Sequence, residues 1–230
     1  NVAAGYQAGV EVSTGTNNTL IGSRAGHTIS SGPHNVCLGS ESGRSSVAIT
    51  TGTGNSLLGT FSHTSSATTS YANGIGYDIN AAGGYTTVGK GTSDIRAVHG
   101  TATWATVSDE RYKKDIVDSR AGLSFINALQ PRTFKYKNLG ELPETFNAYE
   151  ADSTEVFKNS YTNHGFIAQE VKAVIDADDS IKDGFKLWDD REDGSQEVAE
   201  AALIPVLVKA IQEQNALIEA LTTRIETLEG

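Results

Sequence analysis

The sequence contains little of what several classes of protein need. Its 230 residues include one Cys, four Pro and no Met. A single Cys excludes an internal disulfide framework and a Cys-rich metal site. Lys and Arg number 18 against 28 Asp and Glu, and the formal net charge of −10 argues against nucleic acid as a main partner.

Long apolar runs and targeting segments are also missing. No run approaches the roughly 18 apolar residues of a membrane-spanning helix, and no segment has the pattern of a signal peptide. We therefore expect no membrane insertion. Because the chain begins at Asn1 rather than Met, we expect it to be a fragment of a longer protein.

Glycine and charge are divided unevenly along the chain. Residues 1–107 hold 18 of the 24 Gly, with only four basic and four acidic side chains. Residues 109–230 hold the other 14 basic and 24 acidic side chains. This difference predicts two domains, a Gly/Ser/Asn-rich fibre tip or shaft over 1–107 and a charged domain over 108–230.

A five-residue unit of Asn, three mostly apolar residues and Gly recurs through the first half. Its clear and weaker copies begin at Asn1, Asn18, Asn35, Asn55, Ala72 and Tyr85. The closing glycines are 17, 17, 20, 17 and 13 residues apart. Each unit predicts a short apolar strand bracketed by residues that tolerate positive φ. One unit cannot bury its apolar side alone, so units must stack within a chain or between chains.

The repeat therefore predicts a mainly β, solenoid-like or interleaved fibre. A disordered linker is the competing interpretation, and the regular phase of Leu, Ile and Val argues against it. Cys37 shares its repeat position with Leu20 and Leu57, which predicts a small core residue rather than a reactive thiol. Over about residues 1–91 the repeat resembles the head repeats of trimeric autotransporter adhesins and similar segments of phage fibres.

Residues 200–230 predict a helix that associates with two other copies as a trimeric coiled coil. Apolar residues and one polar exception follow a 3-4 spacing at Ile204, Leu207, Ile211, Gln214, Ile218, Leu221, Ile225 and Leu228. This spacing is that of a heptad seam in a coiled coil. Several Ile at seam positions favour a coiled coil of three helices over one of two. The alternative is a helix docked on its own domain.

Between Ser108 and that helix the pattern predicts an α+β body over 108–199. Asp118 is expected to cap a helix through Leu129 that ends before Pro131. Further expected elements are a strand at 133–136, a strand at 165–167, a helix at 168–175, and a hairpin from 185–188 and 196–198.

The residues best suited to chemistry lie at the domain boundary. Ser108 and Lys113 are the minimum for nucleophilic catalysis, because a neutral Lys can take the proton of a Ser hydroxyl. An offset of five places the two side chains apart on a strand and on a helix. The pair therefore requires a turn between them, or a Lys from a neighbouring chain. A solvated linker is the competing interpretation.

Three motifs in order resemble a known family. They are Ser-Asp-x-Arg-x-Lys from Ser108, Gly-Phe-Ile-Ala-Gln-Glu-Val at 165–171, and Leu-Ile-Pro-x-Leu-Val-Lys-Ala-Ile-Gln-Glu at 203–213. Over about 107–230 the chain resembles the S74-type self-cleaving intramolecular chaperone domains of phage tail spikes, tail fibres and neck appendages. The stretch 138–160 carries none of these motifs.

The resemblance implies that residues 108–230 trimerise and template the folding of the upstream β-fibre. They would then release themselves by cutting between Ser108 and Asp109, with Ser108 as nucleophile and Lys113 as general base. Asp109, Glu110 and Arg111 would shape the site. The product would be a virion tail fibre, freed from a chaperone that acts in the host cytoplasm.

The implied cleavage raises a geometric difficulty. Attack by Ser108 Oγ on its own carbonyl carbon would form a four-membered ring. Attack on the Val107 carbonyl through a five-membered N–O shift is easier, but it cuts one bond earlier. The sequence leaves this choice open.

Other functions are less well supported by the residues. A trimeric cell-surface adhesin with a permanent C-terminal stalk predicts no cleavage and leaves 109–200 without a role. A eukaryotic-type regulator released by the same module does not fit the fibre-like repeat. Nothing marks Asp78 and Asp94 as a glycosidase pair. No metal or other cofactor is expected, since the His residues never have metal-ligand spacing.

The expected partners are two further copies of the chain and a host receptor, a glycan or a surface protein, bound through the N-terminal fibre. Five aromatic residues are candidates for facing a glycan, although aromatic side chains in repeats pack more often than they bind. These candidates are Tyr6, Tyr71, Tyr77, Tyr85 and Trp104.

Overall fold

A computed structural model describes residues 1–179, 181–182 and 185–229. The chain divides into two compact units, Asn1–Lys114 and Asp115–Gly230, each described by itself below. The domain boundary at Ser108 stays a prediction from composition.

The first unit consists of short strands. Six parallel strands follow one another in the main sheet: β1 (Val2–Ala4), β2 (Thr19–Ile21), β3 (Val36–Leu38), β4 (Ser56–Leu58), β6 (Asn73–Tyr77) and β8 (Tyr85–Lys90). Two antiparallel strands, β9 (Ser93–Val98) and β10 (Ala105–Thr106), end the sheet. A small parallel pair is formed by β5 (His63–Thr64) and β7 (Asn80–Ala81).

The register of the parallel strands is that of the sequence repeat. Leu20 lies opposite Cys37, and Cys37 lies opposite Leu57, all in the middle of their strands and all buried. The units therefore stack within one chain as a solenoid. The predicted mainly β repeat is confirmed, and so is the core position of Cys37. Burial raises the pKa of the Cys37 thiol to about 12.

The repeated Asn forms a buried hydrogen-bond ladder. Asn18 Oδ1 accepts from Asn35 N at 2.8 Å, and Asn35 Oδ1 accepts from Asn55 N at 3.1 Å. Asn35 Nδ2 also donates to Gly52 O at 2.9 Å. The bracketing residues with positive φ are the residue before each Asn and the closing Gly, as Asn17 and Gly22 are for β2. Buried amides need partners, and each coil supplies them to the next.

The glycine that closes each unit lies against the next coil. Gly22 has φ +133°, and a Cβ added there would lie 2.5 Å from Gly39 O. We expect Gly22→Ala to lower the free energy of unfolding of the solenoid by about 3 kcal/mol, because backbone strain and a clash with the next coil add together. Urea unfolding followed by circular dichroism measures this loss.

Gly91 provides the matched control for this substitution. It has φ +55°, and a Cβ there would meet nothing within 4 Å. Gly91→Ala should therefore cost only the left-handed backbone term, about 1 kcal/mol. Equal losses for Gly22→Ala and Gly91→Ala would contradict the close approach of the coils.

In its described residues the second unit combines three α-helices with two small antiparallel pairs of strands. The helices are α1 (Leu123–Ala128), α2 (Ala168–Asp176) and α3 (Leu203–Glu229). Antiparallel pairs are formed by β11 (Arg132–Phe134) with β12 (Asn163–Gly165), and by β13 (Trp188–Asp190) with β14 (Gln196–Val198). The predicted α+β body with a long C-terminal helix is confirmed. The helix predicted from residue 200 begins at Leu203, after a 3₁₀ turn at Glu200–Ala202, and residue 230 lies outside the described residues.

Several element bounds differ from the sequence prediction. The strand expected at 165–167 ends at Gly165, and the strand expected at 185–188 begins at Trp188. The expected Asp118 cap is wrong, since α1 begins after Gly122 without a side-chain cap from its own segment. Glu213 on α3 replaces it, because its Oε2 accepts from Leu123 N at 2.8 Å.

Helix α3 has an anchored part and a free part. Leu203, Val206 and Ala210 are buried in the core of the second unit, which also contains Phe125 and Val171. Every residue from Gln214 to Glu229 is exposed. The apolar seam residues of this part, Ile218, Leu221, Ile225 and Leu228, are therefore all exposed, and so is Ile211 just before it. A free helix of this length is marginal in water without a partner.

Candidate active site at Ser108 and Lys113

The candidate site follows directly on the last strand of the solenoid. Strand β10 ends at Thr106, and a single 3₁₀ turn spans Glu110–Tyr112. The Asp109 carboxylate caps this turn by accepting from Arg111 N at 2.9 Å. The Arg111 guanidinium donates to the same carboxylate from Nε at 2.9 Å and from Nη2 at 2.7 Å. This bidentate contact lowers the pKa of Asp109 and raises the pKa of Arg111.

The turn brings Lys113 back to Ser108. Lys113 Nζ donates to Ser108 Oγ at 2.7 Å. The Lys113 backbone N–H donates to Glu110 O at 2.8 Å, which closes the turn. The turn that a five-residue offset requires is therefore present within one chain. Glu110 contributes its backbone to it, and Asp109 with Arg111 supplies the side-chain brace.

This geometry can transfer a proton if the lysine is neutral. The hydroxyl and the amine lie within the distance needed for general-base activation of a nucleophile. All residues from 101 to 120 are exposed, however, and burial is what favours the neutral amine of a lysine. Within the described part of the chain, Ser108 Oγ and Lys113 Nζ are side-chain partners only of each other. The pair is formed but is not enclosed.

The candidate glycan-facing aromatics have mixed environments. Three of them make ring contacts: Tyr6 with Arg24 at 5.9 Å, Tyr85 with Arg96 at 4.8 Å, and Tyr77 with Phe61 at 5.6 Å. Tyr71 and Trp104 are exposed. Contacts of this kind stabilise a repeat. A receptor-binding role for these aromatic residues stays a prediction.

The described residues contain no group of three or more His, Cys, Asp or Glu side chains placed to hold a metal ion. Among the helices in the described ranges, none combines the length and apolar character needed to cross a membrane.

Comparison with known proteins identifies the segment that begins at the site. Residues 108–179 match the Peptidase_S74 family, described as chaperone of endosialidase. The predicted S74-type chaperone domain is therefore confirmed for this segment, and the match starts at Ser108 itself. The family implies self-cleaving peptidase activity and a role in phage tail fibre assembly in general terms. No curated protein and no solved structure gives a significant match to the chain.

Proposed function

We propose that the chain is the C-terminal part of a phage tail fibre or tail spike. Residues 108–230 trimerise, template the folding of the β-solenoid, and then release themselves by a single self-cleavage between Ser108 and Asp109. One observation carries the proposal. Ser108, the first residue of the chaperone match, lies 2.7 Å from the amine of Lys113.

The free half of α3 supports the trimer. Within the described residues its seam exposes Ile218, Leu221, Ile225 and Leu228, and the exposed Ile211 directly precedes them. In a three-stranded coil each would enter a hole formed by the facing helices. Gln214 would be the polar layer that fixes the register of the three copies.

The proposed reaction consumes one water and leaves the serine hydroxyl intact. The neutral Lys113 amine takes the proton of a Ser108 hydroxyl, and the oxygen bonds to a carbonyl carbon. The peptide C–N bond breaks, and the amide nitrogen leaves with the proton returned by the lysine. Water then hydrolyses the ester to a carboxylate and a free hydroxyl.

The scissile bond decides which serine attacks. Cutting Ser108–Asp109 needs attack on the Ser108 carbonyl, and a neighbouring copy's hydroxyl avoids the four-membered ring. Attack within one chain would proceed on the Val107 carbonyl and would cut Val107–Ser108. The proposal keeps Ser108–Asp109, and the ends of the two fragments distinguish these routes.

The exposure of the site supports a link between assembly and cleavage. The Ser108–Lys113 pair is open to water in one copy, and a second copy packed over it would supply the desolvation that favours the neutral form of a lysine. Cleavage would then follow correct assembly. Ser108 would leave with the solenoid while Lys113 stays with the chaperone, so the reaction happens once per chain.

The repeat explains why such a helper is useful. The coils, mostly of 17 residues, resemble one another, so copies displaced by one coil would still align similar residues. A trimer formed at the C-terminus sets the register and raises the effective concentration of correct contacts. Removing the chaperone afterwards leaves the fibre kinetically trapped. The released fibre would bind a host glycan or surface protein.

Expression of the whole chain beside Ser108→Ala tests the proposal. We expect the wild type to yield fragments 1–108 and 109–230 on denaturing electrophoresis, and the variant to stay whole. Native mass spectrometry should show three copies in each case. If both chains stay whole, the C-terminal half is a permanent trimerisation stalk. If both are cut equally, a protease of the expression host is responsible.

A further inference from the structure

One outward row of the solenoid sheet is aliphatic across all six parallel strands. The third residues of the first five parallel strands pair in register, and Val88 in β8 continues the row. We call this row the aliphatic ladder; it consists of Ala4, Ile21, Leu38, Leu58, Ile75 and Val88. Similar side chains placed one above another on six strands form a continuous strip about 24 Å long.

The ladder is not part of the core of its own solenoid. Ile21, Leu58 and Ile75 are 44%, 37% and 44% exposed, whereas Leu20 and Leu57 beside them are fully buried. Alternate residues of a strand point to opposite faces, so the inward row already fills the interior. The aliphatic ladder therefore remains available to another surface.

The strands that carry the ladder have almost no charged residues, and charge appears only where β8 ends and β9 begins. The six parallel strands contain one charged residue, Lys90, at the last position of β8. Strand β9 then adds Asp94 and Arg96. The outward row beside the ladder consists of neutral residues, namely Val2, Thr19, Val36, Ser56, Asn73 and Thr86. A neutral strip of this kind favours an apolar partner over a charged or sugar ligand.

We propose that the aliphatic ladder is the surface on which the solenoids of the three copies pack together. This inference rests on the proposed trimer, and it identifies what the chaperone must align. Three-fold symmetry places the same ladder residue of each copy at the same height along the three-fold axis. Identical residues of the three copies therefore meet around that axis. The exposed seam of α3 has the same aliphatic character in the same chain. Copies displaced by one coil would still pair aliphatic ladder residues, so the ladder by itself does not fix the register of the three copies.

Charge introduced into the ladder should separate the solenoids. We expect Ile21→Lys/Ile75→Lys in the whole chain to leave fragment 1–108 monomeric after cleavage, as measured by native mass spectrometry. The matched control is Val10→Lys/Tyr71→Lys, which places the same two charges at apolar residues that are 58% and 64% exposed away from the ladder. Fragment 1–108 of the control should remain trimeric. A trimeric fragment from the ladder variant would overturn the proposal.

A crosslinking measurement does not depend on cleavage or on the tolerance of added charge. Leu58→Cys places a thiol on the ladder, and Val10→Cys places one away from it. A short bis-maleimide adds to two thiols without any redox step, while buried Cys37 is protected in both variants. We expect crosslinks between copies only for Leu58→Cys. Crosslinks at Val10→Cys alone, or at neither position, would overturn the ladder interface.

The two experiments also separate this inference from the proposed function. If the wild-type chain is an uncleaved trimer and the Leu58→Cys chain crosslinks between copies, self-cleavage would be excluded and the ladder interface supported. A cleaved trimer in which Leu58→Cys forms no crosslinks would support self-cleavage and exclude the ladder interface. A monomeric wild-type chain would remove both.

Discussion

Lys113→Met should slow self-cleavage by about a thousandfold, because general-base catalysis contributes about 10² to 10⁴ in rate. Met keeps an unbranched side chain of nearly the same length and removes the amine that lies 2.7 Å from Ser108 Oγ. The serine hydroxyl would then lack a base, and the chain should accumulate as an uncleaved trimer. The fraction of whole chain during refolding, followed by denaturing electrophoresis, measures the rate.

Lys114→Met is the matched control. Lys114 is also exposed and adjacent in sequence, but only Lys113 donates to Ser108. We expect Lys114→Met to cleave at the wild-type rate. Equal slowing by the two substitutions would assign the effect to local charge rather than to the Ser–Lys pair.

A mixture of inactive chains shows where the pair is formed. Ser108→Ala and Lys113→Met chains are refolded together, so that mixed trimers form. If the lysine serves the serine of its own chain, no mixed trimer contains a complete pair and the mixture stays whole. Restored cleavage would mean that the lysine acts across the interface between copies.

The second large effect is expected from the seam of α3. Ile218→Asp/Leu221→Asp would place six carboxylates in adjacent layers of a three-stranded coil, where buried unpaired charge is strongly destabilising. We expect the chain to become monomeric and to lose self-cleavage along with trimerisation. Native mass spectrometry measures the first change, and electrophoresis measures the second.

Charges on the outer face of the same helix provide the control. Thr223→Asp/Thr227→Asp adds the same charge to α3 outside the heptad seam. This variant should form trimers and cleave normally. Complete cleavage by a monomeric Ile218→Asp/Leu221→Asp chain would contradict the link between assembly and cleavage.

The solenoid was largely predictable because its signal is local and repeated. Each unit carries its own strand residues and its closing Gly, and the spacing of the units is the register of the strands. The role of the repeated Asn was not predictable in the same way. Asn35 has partners in two other coils, and only stacking brings these together.

Contacts between distant segments explain the other differences. The start of α1 depends on Glu213, which lies 90 residues further along the chain than Leu123. No local rule could prefer it to Asp118. At the candidate site the opposite holds, since Ser108, Asp109, Arg111 and Lys113 all lie within one turn. Chemistry and spacing therefore identified the pair and the need for a turn, while the Asp109–Arg111 brace required the structure.

The intact masses of the two products of the wild-type chain test the central claim most directly. We predict one fragment that ends at Ser108 and one that begins at Asp109, with masses that together exceed the whole chain by one water. A serine at the start of the second fragment would indicate the N–O shift at Val107. A wild-type chain that forms trimers and keeps its intact mass would contradict self-cleavage.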